Sequence, residues 1–237
     1  MVQRPRFTRY SEPHSSQRTL LAMTKPMKID FVSDVACPWC IIGLRGVEQA
    51  LERVGDLVDA DIYFQPFELN PNMPAGGQNI VEHIAQKYGS TPEQSAANRD
   101  RIRARAAELG FTMAMSQESR IYNTFDAHRL LHWAGLEGRQ LPLKKALFAA
   151  YFTHGRDPGD HAVLVDAAEQ AGLDPAAAAE VLTSGRYAEE VRATEHLWQA
   201  RGISAVPAIV INDKYLISGG QPPEVFENAI RSIAAES

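Results

Sequence analysis

The 237-residue chain is 45% hydrophobic and 22% charged, an ordinary balance for a globular protein that fills its own core. Its net charge of −5 argues against generic binding to nucleic acid or to an acidic membrane, which requires a basic surplus. No apolar run approaches the roughly 18 residues that span a bilayer, and two cysteines three positions apart are too few and too close to form a disulfide framework.

Residues 1–26 are rich in Arg, Ser, Gln and Pro, with Glu12 the one acidic residue, and read as a disordered N-terminal tail. Leu20-Leu21-Ala22-Met23 is shorter than the about 7–15 apolar residues of a secretory signal, so the chain reads as cytoplasmic. Lys28 to Asp34 alternates as a strand does, and Leu44, Val47, Leu51 and Val54 then follow at helical spacing, closed by Gly55. Ile62 to Phe67 is β-rich, with Pro66 marking an edge position or a strand end. From about Pro71 to Gly202 the pattern is helical. Thr91-Pro92-Glu93-Gln94 carries the residues of a capping box, Ala127, Leu130, Leu131 and Ala134 form one apolar stripe, and Leu164, Ala167, Ala168 and Ala171 form another. Asp174-Pro175 opens a further Ala-rich helix, and Trp133, Phe148 and Trp198 are candidate core aromatics. Ala208 to Ile211 and Tyr215 to Ser218 flank the turn Asn212-Asp213-Lys214 as a hairpin, and a final helix starts near Pro222-Pro223-Glu224.

The run Cys37-Pro38-Trp39-Cys40 falls where the first strand gives way to the first helix. A helix N-terminus presents unpaired N–H groups and about half a positive charge, which stabilises a thiolate. Cys37, the more N-terminal cysteine, is expected to be the exposed attacking thiol. Cys40, one turn deeper, is expected to resolve the mixed disulfide. Pro38 suits the first helical turn, where a missing N–H does no harm, and Trp39 is expected to shape the local surface. The same spacing serves zinc sites, which require two further ligands. No third cysteine exists, although His128 and His132 lie one helical turn apart. At the level of spacing, a zinc site and an unreactive pair stay open beside redox chemistry.

Val206-Pro207, placed just before the hairpin, adds the second half of the constellation. Together these segments resemble the thioredoxin superfamily and, more narrowly, the DsbA-like family in its FrnE-like branch. The resemblance spans about Met27 to the C-terminus and rests on Ile29 to Asp34 with Cys37 to Cys40, on Asn123-Thr124-Phe125-Asp126-Ala127-His128-Arg129-Leu130, and on Val206-Pro207 with Tyr215 to Gln221. It implies an α/β thioredoxin-like fold (βαβ … ββα) with a large all-α helical insertion. The sheet domain would be split into residues 27–70 and 186–237, around an insertion at 71–185.

The resemblance further implies thiol–disulfide oxidoreductase activity on protein or peptide thiols and disulfides. Val206-Pro207 is then a cis bond facing Cys37, and Pro38, Trp39, Val206 and Pro207 bind substrate or tune the pair. Asn123, Phe125 and His128, with Arg129, are candidates to line a cleft over Cys37; the competing reading is that they cap and pack a helix. A redox-active disulfide requires no metal and no other cofactor, with glutathione a candidate co-substrate. The alternative reaction class is that of kappa-class glutathione transferases and 2-hydroxychromene-2-carboxylate isomerases, which share the insertion and act on small aromatic substrates. There the first cysteine position is commonly Ser, so two cysteines argue against it.

Overall fold

The computed structural model describes residues 24–236. Residues 1–23, most of the expected tail, lie outside the described residues. Strand β1 (Lys25–Ser33) begins inside the segment read as tail, and its last five residues are buried. It pairs in parallel with β2 (Val58–Pro66) on one side and antiparallel with β5 (Ala208–Ile211) on the other, and β6 (Tyr215–Ser218) completes the order β2-β1-β5-β6. The three-residue connection Asn212-Asp213-Lys214 places Asn212 and Asp213 in the left-handed region, at φ 52° and 57°.

Period-two alternation sends side chains to two different cores. Ile29, Phe31, Ile209 and Ile211 face the helices α1 (Pro38–Val54) and α9 (Pro223–Glu236). Val32, Ala208 and Val210 face the opposite way, onto Phe67, Trp198 and Ile203. Pro66 ends β2, which is an edge strand, where its missing N–H leaves no gap in the ladder.

Between the two halves of the sheet lie α2 (Ile80–Tyr88), α3 (Pro92–Glu108), α4 (Phe125–Leu136), α5 (Gln140–Phe148), a π-helical turn at Ala149–Thr153, α6 (His161–Gln170), α7 (Pro175–Ser184) and α8 (Ala188–Ala200). The capping box of Thr91 and Gln94 is formed, and the Asp174 carboxylate accepts from Ala177 N–H to start α7. The block is not wholly helical. Gln78–Asn79 (β3) and Arg120–Ile121 (β4) pair antiparallel, a ladder too short to leave any periodicity in the sequence. Helices α4 to α7 enclose a core of their own, built on Leu130, Leu131, Leu143, Leu147, Leu164 and Leu182. That block is tied to the sheet at the free edge of β2, where the Gln140 amide accepts from Phe64 N–H (2.8 Å) and donates to Phe64 C=O (3.0 Å). An open strand edge is thereby closed by one side chain. Among the described residues, no helix is long and apolar enough to cross a membrane.

Candidate active site

The turn from β1 into α1 is built around one carboxylate. Asp34 accepts hydrogen bonds from Ala36 N–H (3.1 Å) and Leu69 N–H (2.7 Å), and from the Thr124 hydroxyl (2.8 Å). It therefore fixes the cysteine turn, the loop after β2 and the entrance to α4 at once. Cys37 occupies the N-cap of α1 with extended backbone, and Pro38 is the first helical residue. Cys37 N–H donates to Asp34 C=O (3.3 Å), and Cys40 N–H donates to Cys37 C=O (3.0 Å).

The Val206–Pro207 bond is cis, and the Cys37 thiol donates to Val206 C=O at 3.6 Å. This contact corrects one expectation. Cys37 is buried, at 3% exposure, because the Val206 carbonyl lies against its sulfur, while Cys40 is wholly enclosed at 0%. Trp39, at 39%, is the exposed member of the run. Both cysteines are free thiols. Close backbone approach makes the arrangement fit: a Cβ on Gly43 would sit 3.1 Å from Pro207 Cγ, and one on Gly220 would sit 2.8 Å from Trp39 O. A side chain at Gly43 would push α1 away from Pro207, and one at Gly220 would push it away from the loop that follows β6.

Behind the thiols lies a group of buried ionisable side chains. His128 Nε2 stands 3.7 Å from Asp34 Oδ1 and has no hydrogen-bond partner. Lys144 is fully buried, its Nζ likewise unpartnered, 5.0 Å from the Phe148 ring centroid and 5.6 Å from that of Phe64. Burial lowers its pKa to about 8, with the charges of Cys40, Asp34 and Cys37 opposing that shift. Burial also pushes the Cys40 thiol well up, reinforced by the hydrogen bond and charge of Cys37 and opposed by Lys144. Burial is the largest single influence on Asp34 and pushes it upward, yet His128 and the N–H groups of Leu69 and Ala36 together hold it below the usual carboxylate range. A cavity of about 320 Å³ opens beside this group between β2 and α4–α5, lined by Phe64, Pro66, His128, Leu131, Gln140 and Lys144 among others.

The four residues from the start of α4 divide between two roles. The Asn123 side chain donates to Pro71 C=O (3.2 Å) and accepts from Phe125 N–H (2.9 Å), so it closes a loop and caps a helix. The Phe125 ring lies under the Arg192 guanidinium, 3.8 Å from its centroid. Arg129 is buried against the end of α7, donating to Val181, Leu182 and Arg186 carbonyls. Of the four, only His128 meets the cysteine turn, through Asp34. His132 stacks on Tyr187 at 5.0 Å, one helical turn away from it. Among the described residues, no three His, Cys, Asp or Glu side chains converge as metal ligands would.

Sequence reasoning passed over Lys144 and treated Asp34 as a strand end. A signal for Lys144 was present: Lys144, Leu147, Phe148 and Tyr151 share one helical face, and a lysine inside an apolar stripe is out of place. Asp34 directly follows a strand whose last positions are buried, and nothing in its neighbours announces the two distant donors, Leu69 and Thr124.

Residues 28–231 match the DSBA-like thioredoxin domain. YwbO of Bacillus subtilis, described as an uncharacterized protein, is 28% identical over 209 residues, which cover 88% of this chain and 96% of that one. The crystal structure of probable DsbA oxidoreductase SCO1869 from Streptomyces coelicolor superposes with a TM-score of 0.82 at 34% identity, covering 89% of this chain and 91% of that one. A 2-hydroxychromene-2-carboxylate isomerase shares the fold at a TM-score of 0.66 and 16% identity, covering 88% of this chain and 97% of that one. The scaffold by itself therefore serves more than one reaction class.

Proposed function

Because the chain belongs to the DSBA-like thioredoxin domain family, we propose that it exchanges disulfides with protein or peptide substrates through Cys37 and Cys40. The observation that carries this reading is the position of the pair: Cys37 at the N-cap of α1, against the Val206 carbonyl, with Cys40 one turn behind it. A Cys37 thiolate attacks a substrate disulfide, forming a mixed disulfide and releasing one substrate thiol. Cys40 then attacks Cys37 Sγ and frees the second, so that two electrons pass from the dithiol to the substrate. The reverse sequence oxidises a substrate dithiol. An extended peptide docks beside Val206 and Pro207, next to the exposed Trp39. Two cysteines, rather than a serine at the first position, support this chemistry over the glutathione-dependent isomerase class, and glutathione remains a candidate thiol partner. The FrnE-like branch and a cytoplasmic setting are part of the same reading.

Insulin reduction and the refolding of scrambled ribonuclease test it. Cys37→Ser is expected to abolish both, and full activity in that variant would refute the reading.

A further inference from the structure

The cavity of about 320 Å³ between β2 and α4–α5 has no cysteine in its walls. Tyr63, Phe64, Leu131 and Leu136 make it apolar, and Tyr63 and Leu136, 46% and 66% exposed, bring it to the surface. Most of its polar side chains are engaged elsewhere. Gln65 donates to Asp30 Oδ1 (2.7 Å), and the Gln140 amide holds Phe64 and Leu131. The Thr194 hydroxyl donates to Glu190 C=O (2.8 Å), and the His132 ring stacks on Tyr187. Two buried nitrogens of the wall residues have no hydrogen-bond partner, His128 Nε2 and Lys144 Nζ.

The fold brings these two side chains to one level of the cavity. Three residues, 137–139, join α4 to α5, and the Gln140 amide donates to Leu131 C=O (3.3 Å) across the pair. One turn further from the connection in each helix lie His128 and Lys144. Lys144 Nζ stands 5.6 Å from the centroid of Phe64, a ring of the cavity wall. An unpaired buried ammonium is costly, and an apolar side chain of similar volume would remove the cost. Structural need therefore does not explain a lysine here. Asp34, 3.7 Å from His128 Nε2, is engaged by three donors and leaves Lys144 unpaired. The apolar walls offer an ordered water few of the about three polar partners it takes.

We propose that this cavity binds a small aromatic carboxylate, its ring among Tyr63, Phe64, Leu131 and Leu136 and its carboxylate at Lys144 and His128. The ligand is not a disulfide substrate, because neither cysteine lines the cavity, so the site goes beyond the exchange reaction proposed above. A carboxylate supplies what both nitrogens lack, an acceptor with two oxygens, and it neutralises the buried ammonium. The rings of Tyr63 and Phe64 suit a flat ligand, which stacks on them or meets their edges. A cavity of roughly 150 Å³ holds benzene, so about 320 Å³ has room for two fused rings and a carboxylate.

Isothermal titration of the full-length chain with 2-naphthoate and with 2-naphthamide, its uncharged counterpart, tests the site. Naphthoate is expected to bind, and naphthamide to bind about 10-fold more weakly. Lys144→Met removes the charge at similar volume, and should weaken naphthoate about 10- to 100-fold while leaving naphthamide unchanged. Thr194→Trp lays an indole across the cavity from α8 and should weaken both ligands. Cys37→Ser, which ends exchange, should bind naphthoate as wild type does, so the site and the exchange reading fail separately. Absence of naphthoate binding, equal affinity for acid and amide, full affinity in Lys144→Met or Thr194→Trp, or lost binding in Cys37→Ser overturns the proposal.

Discussion

Helices α4 and α5 each face two interiors. On one side, Leu130, Leu131, Ala134, Leu143 and Leu147 join Leu164, Ala167 and Leu182 in a core of aliphatic side chains. On the other, His128 stands 3.7 Å from Asp34 and Lys144 is buried over the rings of Phe64 and Phe148, with His128 Nε2 and Lys144 Nζ unpartnered. The first interior gains about 25 cal/mol for each Å² of apolar surface withdrawn from water. The second keeps groups whose burial costs several kcal/mol each unless they are paired. Two helices thus pack an aliphatic core on one face and carry buried ionisable groups on the other. A costly group is held at the thiol end because the neighbouring aliphatic core can carry it.

The contrast breaks most visibly on the aliphatic side. Leu164 of α6 is fully buried there, away from the cysteine turn. Leu164→Ala should lose about 2–5 kcal/mol in urea unfolding through lost transfer energy and the cavity left behind. Its disulfide-exchange rate per folded molecule should match wild type. A slowed exchange would show that the two interiors do not act separately.

On the thiol side, Asp34→Asn leaves the turn with an amide where three donors converge on two carboxylate oxygens. The amide nitrogen cannot accept, so at least one donor is stranded, at a cost of about 1–3 kcal/mol. The pH dependence gives a second readout. The Asp34 pKa is depressed in the folded chain, so its stabilisation is present above the unfolded value of 3.8 and lost as pH falls through the folded value. Acid unfolding of Asp34→Asn should lack that component.

Lys144 reverses the sign. Its pKa falls from 10.5 to about 8 on folding, so between those values the unfolded chain binds a proton that the folded chain does not. Wild-type stability should therefore rise between about pH 8 and 10.5, by up to about 3 kcal/mol relative to Lys144→Met. Near pH 7, Lys144→Met should be the more stable protein, by about 1–3 kcal/mol in urea melts. A less stable variant would mean that Lys144 serves the fold after all.

What was legible in the sequence follows the same division. Periodicity placed β1, α1 and the aliphatic stripes of α4 and α6, because each is a local pattern that repeats along one element. Asn212-Asp213 marked the hairpin because few residues accept two left-handed positions in succession. The thiol end is assembled from distant segments. Asp34, His128 and Lys144 lie on a turn and two different helices, and Val206, which covers Cys37, is 169 residues away from it. No local pattern encodes such a meeting. The sequence therefore reads Cys37 as exposed, and for Asn123 and Phe125 it leaves open both a cleft and the helix capping and packing that the structure shows.

The smallest effect concerns a feature that belongs to neither interior. Thr91 Oγ1 accepts from Gln94 N–H at 3.2 Å, and Gln94 Oε1 accepts from Thr91 N–H at 2.9 Å, both at an exposed helix start. Thr91→Ala removes the first bond and loosens the second, which should cost about 1 kcal/mol by urea unfolding. Further along α3, Ile102 and Ala106 belong to the core cluster that also holds Cys37 and Cys40, so the helix packs into the same interior. Fraying confined to its first turn leaves those residues seated, because helix ends open without the interior following. The exchange rate should then be unaltered while stability falls. A change in rate would instead make α3 a conduit from the surface to the cysteine pair, and the division between a stabilising interior and a reactive one would have to be redrawn to include it.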